Sequence, residues 1–168
     1  MAIFGRVSVY DTIPTLDIID FLFEGLKTIS QLQTRTIDGG SKTTRFEDYI
    51  NIGDLQKRDA QYKAPVLCLF PGYKIENEQD IKSVQRVVKP IPMIDSVIAA
   101  RLRRDAMRGS IAFADNIAVA IAENFKVYKN IEITVVSQFI LNPYSNHEGK
   151  EEVVIRSVLA ASWGKINS

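Results

Sequence analysis

Apolar residues Leu16, Ile19, Phe23, Leu26 and Ile29 recur at steps of three and four, and that spacing predicts an amphipathic helix that starts at Pro14 and Thr15 and ends near Leu32. Asp17 and Asp20 stand in its first turns, where the helix dipole favours acid. Ile18, Phe21 and Leu22 widen the apolar face beyond a narrow stripe, so the helix is either deeply packed or carries a second contact surface. Ahead of it, residues 1–13 read as a short arm or edge strand, because "RVSVY" alternates.

The segment "TRTIDGGSKTTRFEDYINIGDLQKRDAQYKA" is polar, holds Gly39, Gly40 and Gly53, and alternates only briefly. It predicts a long loop or partner-binding excursion at about 34–63 carrying one short strand, with a hairpin as the alternative. "PVLCLFPGYKIE" is a nearly continuous apolar run that suits a buried central strand with a turn at Pro71 and Gly72. "SVQRVVKPIPMI" gives a second strand, which Pro90 and Pro92 confine to an edge or end early.

From Ile94 to Phe125 the chain is rich in alanine and leucine-like residues, with a break expected at Gly109 and Ser110 and a cap at Ser110 or Asp115. Its second part has helical spacing in Ile111, Ala114, Ala118, Ile121, Ala122 and Phe125. The first part, "IDSVIAARLRRDAMR", reads as helix in preference to strand. "IEITVVSQFIL" and "EEVVIRSVLAASW" alternate on either side of "NPYSNHEGK" and predict an antiparallel pair. Together these elements predict a single α+β domain over residues 1–168, with a mixed or antiparallel sheet, helices packed on it, and a C-terminal β-hairpin.

Composition narrows the function classes. The 168 residues are 46% hydrophobic and 24% charged with a net charge of +1, which is a soluble composition with no bulk attraction to nucleic acid or membrane. The single cysteine, Cys68, sits in an apolar run and reads as a buried core residue. No secretory leader and no apolar run long enough for a membrane span are evident, so a cytosolic, reducing setting is expected.

The chemistry-bearing residues form no site that can be recognised by motif. "DGGSKTT" imitates a phosphate-binding loop, but Ser41, not glycine, precedes Lys42. His147 is the only histidine and lies in a polar turn, so no two-histidine metal site is available. No Gly-x-Ser-x-Gly occurs, and the carboxylates are scattered, as in Glu47 with Asp48 and Glu151 with Glu152. No catalytic, metal or cofactor residue is therefore assigned. The most polarised cluster is "RLRRDAMR", where Arg101, Arg104 and Arg108 with Asp105 share one face of a predicted helix and Arg103 adds to the charge. Such a strip is a solvated face, a protein contact or a phosphate contact.

The order of elements resembles that of tail terminator or tail-completion (neck) proteins of tailed bacteriophages. The likeness rests on the helix from Leu16 to Leu32, the strand "APVLCLFPGY", the alanine-rich "SIAFADNIAVAIAENF" and the terminal strand pair. It implies a non-enzymatic virion protein, assembled in the host cytoplasm, that forms a hexameric ring on the last ring of the tail tube. The ring would stop tube elongation and meet head completion or collar proteins, and the sheath where the tail contracts. DNA would pass through its channel without specific binding. The resemblance makes Arg101, Arg103, Arg104, Arg108, Tyr144 and His147 candidate interface residues, with Tyr144 the aromatic anchor of a contact loop. A metal-dependent nuclease or other hydrolase, with carboxylates gathered by folding, and a cytosolic ligand-binding or adaptor domain are the alternatives.

Overall fold

A computed structural model describes residues 13–80, 83–141, 146–147 and 149–164, with the side chains of 73–89 and 146–147 excepted. The elements in chain order are α1 (Thr15–Leu26), α2 (Ser30–Gln33), β1 (Thr34–Ile37), β2 (Gly40–Thr43), β3 (Arg45–Asp48), α3 (Ile52–Arg58), β4 (Val66–Asp80), β5 (Ser83–Ala100), α4 (Arg103–Asn124), β6 (Val127–Tyr128), β7 (Ile131–Ile140), β8 (Asn146–His147) and β9 (Lys150–Trp163). The main sheet runs β3-β4-β5-β9-β7-β6, with β8 pairing on β9, and β1 and β2 form a separate hairpin. The β3–β4 pair is parallel and the other ladders are antiparallel. The chain is thus α+β with a mixed sheet, and β7 and β9 pair as the alternation of their sequences predicts.

Period-two alternation gives the sheet two unlike faces. Leu67, Leu69, Ile94, Ile98, Val153 and Leu159 point to one face, where they pack with Ile18, Leu22 and Leu26 of α1 and Phe113, Ile117 and Ile121 of α4. The opposite face holds a smaller cluster in which Val66, Cys68 and Val97 meet Ile52 and Leu55 of α3. Cys68 is fully buried there, as its apolar run predicts, and burial pushes its thiol pKa up to about 12.

Several expectations are corrected. The first helix ends at Leu26, a turn separates it from α2, and Leu16 is 60% exposed, so the buried face is Ile18, Ile19, Leu22, Phe23 and Leu26. The polar span at 34–63 is not one long loop: its start is the alternative hairpin, β1–β2, and β3 and α3 follow. Asp38 and Gly39, at φ of 51° and 77°, make the hairpin turn.

Residues Ile94–Ala100 belong to β5, not to a helix. Pro90 and Pro92 neither end β5 nor hold all of it at an edge. They lie where β5 pairs with β4 alone, because pairing with β9 begins at Met93, so their missing N–H groups remove no bond to β9. The helix expected to break at Gly109 and Ser110 runs unbroken from Arg103 to Asn124. Both residues are close-packing points: a Cβ on Gly109 would come 3.1 Å from Ile98 Cγ2, and the Ser110 hydroxyl donates to the Val153 carbonyl at 3.1 Å. The buried face of α4 is set by Phe113 and Ile117, while Ile111 and Ala122 are exposed.

Candidate interaction surface

Two patches of opposite charge stand at the two ends of α4. At its C-terminal end, Phe21 of α1 meets the Phe125 ring edge-on with centroids 5.7 Å apart, and Gly25 lies against the same ring. This contact places α1 so that Asp17, Asp20 and Glu24 line a shallow groove with Phe21 and Tyr128. The spacing of those acids puts them on the solvent side, because Ile18, Ile19, Leu22 and Phe23 take the core side.

Tyr49 stands over this acidic ridge. It is 44% exposed, and its phenol donates to Asp20 Oδ1 at 2.7 Å. Burial of the hydroxyl, the bond to Asp20 and the charges of Asp20, Asp48 and Asp17 push its pKa up to about 12. Its backbone has φ of 56°, a left-handed conformation that is unusual for an aromatic residue and costs about 1 kcal/mol or more. The site thus combines an exposed aromatic ring, a strained backbone and surrounding carboxylates.

At the other end of α4 lie the predicted basic residues. Arg101 precedes the helix, with its backbone N–H donating to the Asp38 carboxylate at 3.2 and 3.3 Å, so it does not share a helical face with Arg104 and Arg108. Arg103, Arg104 and Arg108 occupy the first turns of α4, and all four arginines are exposed. Glu123 lies at the opposite end, in a last turn with no basic residue. Apart from Asp105 in the first turn, this order opposes the helix dipole, which favours acid at the start and base at the end. Helix stability therefore does not account for the placement.

A third feature is the outer edge of β7. β6 covers it only at Ile131 and Glu132, and among the described residues no strand pairs beyond that point on this side. Val136 is the extra residue of a bulge and is 58% exposed, and Phe139 and Ile140 are also exposed. The Val135–Val136 doublet breaks the alternation of the strand and is the sequence signal for that bulge. Tyr144 lies outside the described residues. The backbone of His147 sits in β8 opposite Lys150, and Gly149 turns the chain with φ of 75°.

The carboxylates considered for hydrolysis are kept apart by strand geometry. Glu151 and Glu152 are consecutive on β9 and point to opposite faces, opposite Ala100 and Ala99. Arg156 of the same run is engaged by Asp95. Among the described residues no group of three or more His, Cys, Asp or Glu side chains is placed to hold a metal ion. No helix among the described residues is long and apolar enough to cross a membrane. No protein-family model matches the chain, and no curated protein matches it.

Proposed function

We propose that the chain is a structural virion subunit, a tail terminator or neck protein of a tailed bacteriophage, that closes head to tail into a hexameric ring. The ring caps the tail tube and connects it to the head. The observation that carries this reading is the separation of opposite charge along α4. Its 22 residues, at about 1.5 Å each, put the Arg103 and Arg104 end about 30 Å from the Phe125 end, against which α1 with its acidic ridge packs.

A ring needs two different, mutually complementary patches on each subunit, so that the front of one copy meets the back of the next. Here the patches are opposite in sign, and the basic one is arranged against the dipole of its own helix, a local cost that a contact between copies would offset. Tyr49 supplies the aromatic anchor on the acidic side. The β7 edge and the segment with Tyr144 and His147 are left to meet tube, sheath or head completion proteins. A net charge of +1 suits a channel through which DNA slides.

The test is native mass spectrometry with negative-stain microscopy of the wild type beside Arg103→Glu/Arg104→Glu. The reading expects sixfold rings for the wild type, alone or on tail-tube protein, and monomers for the variant. Rings that survive the charge reversal remove this interface.

A further inference from the structure

Beside the basic start of α4, three lysines line one cavity: its lining residue Ile37 precedes Asp38, which accepts the Arg101 N–H, and Ala99 lies two positions before Arg101. Lys42 comes from β2, Lys63 from the segment leading into β4, and Lys150 from the start of β9. The cavity measures about 300 Å³, and Ile37, Thr43, Ala64 and Ala99 complete its lining, which contains no acidic side chain. Among the described residues no ion pair engages any of the three. Ammonium groups gathered from separate elements repel one another, and the arrangement lacks a counter-charge within the lining.

The acidic residue opposite Ala99 in the ladder is Glu152, which is 2% exposed, with burial raising its pKa to about 7. It therefore carries only part of a negative charge against the lysines at neutral pH.

We infer that this cavity is an oxyanion site for a phosphate-class ligand, either a free phosphate compound or a phosphate of a nucleic-acid strand. Three point charges suit a multiply charged oxyanion better than a lone carboxylate, which would neutralise only one of them. Thr43, also in the lining, carries a hydroxyl that can donate to an oxyanion. A volume near the lower end of ligand pockets matches a phosphate or pyrophosphate group rather than a large organic molecule. The inference does not rest on ring formation.

Isothermal titration of the full chain with pyrophosphate at low salt tests it. The expected result is saturable single-site binding that Lys42→Gln/Lys63→Gln/Lys150→Gln weakens by about tenfold or more, equivalent to about 1.4 kcal/mol. Thr43→Glu, which brings a carboxylate to the wall, gives the same loss and guards against a triple variant that misfolds. Lys126→Gln/Lys129→Gln, which removes two exposed lysines beyond the C-terminal end of α4, retains binding within about twofold, which separates this cavity from a general loss of positive charge. Competition with a single-stranded oligonucleotide assigns the source: displacement of pyrophosphate points to strand phosphate, and retention points to a free phosphate compound. Absence of saturable binding of either probe to the wild type, or equal binding by the triple variant, overturns the inference.

Discussion

Arg156 on β9 holds Asp95 on β5 from the directly opposed strand position, with Nε donating to Oδ1 at 2.7 Å and Nη2 to Oδ2 at 2.9 Å. Asp95 is fully buried, and its Oδ2 also accepts the backbone N–H of Ile52 at 3.1 Å, which ties the start of α3 to the sheet. The guanidinium lies over the Phe70 ring, 4.9 Å from its centroid. Removing one partner leaves the other charge in the interior, so Arg156→Ala should cost about 3–5 kcal/mol in urea unfolding. The apolar pair Asp95→Leu/Arg156→Leu should cost less than Arg156→Ala alone, because no orphaned charge remains.

Gly25 shows the same dependence on close approach at the acidic end. A Cβ there would lie 2.4 Å from Phe125 Cε1 and within 2.9 Å of two further ring atoms. Alanine favours helix over glycine by about 1 kcal/mol, yet displacing a buried ring costs about 1–3 kcal/mol. Gly25→Ala should therefore lower the thermal midpoint despite the better helix former, as a calorimetric scan would register.

Glu152 should make stability depend on pH. Its folded pKa is raised to about 7 by burial, above its ordinary value of 4.5. The folded state therefore holds the proton more tightly than the unfolded one. Below pH 4.5 the group costs no stability through its charge; as pH rises to about 7 it becomes progressively destabilising, by up to about 3 kcal/mol. Glu152→Gln should stabilise the protein at pH 8, have little effect at pH 4, and flatten the profile between. Denaturant midpoints across that range measure the difference.

Much of the sheet was legible: the terminal pair through its period-two pattern and "PVLCLFPGY" through its continuous apolar run reappear as β7, β9 and β4, while the turn expected at Pro71 and Gly72 is absent because both residues stay paired with β5. The misreadings have local causes. Ile94–Ala100 is buried on both faces, since Ile94 and Ile98 meet the large core and Val97 the small one, so it lacks the apolar–polar alternation that separates strand from helix. Gly109 and Ser110 resemble a helix break in sequence, while their role depends on Ile98 and Val153 arriving from distant parts of the chain.

The candidate surface was half visible. The arginines stand out as a charge run, whereas Asp17 and Asp20 read as ordinary first-turn acids. Tyr49 gives no local sign of its φ of 56° or of its place above α1.

That place separates folding from assembly. Tyr49→Asn substitutes a residue that tolerates left-handed backbone, so relief of strain should offset the lost exposed hydrogen bond to Asp20. Thermal stability should change by less than about 1 kcal/mol. Loss of the aromatic anchor should nonetheless weaken self-association by about 2 kcal/mol or more. Sedimentation velocity over a concentration series would show both the retained compact monomer and the shifted assembly.

The most direct test of head-to-tail association is a charge exchange read by native mass spectrometry. Asp17→Arg/Asp20→Arg and Arg103→Glu/Arg104→Glu should each reduce wild-type rings to monomers, while one chain carrying all four substitutions should form rings again, because its two patches remain opposite in sign. Rings from either reversed variant alone, or a fourfold variant that stays monomeric while folded, would contradict the account.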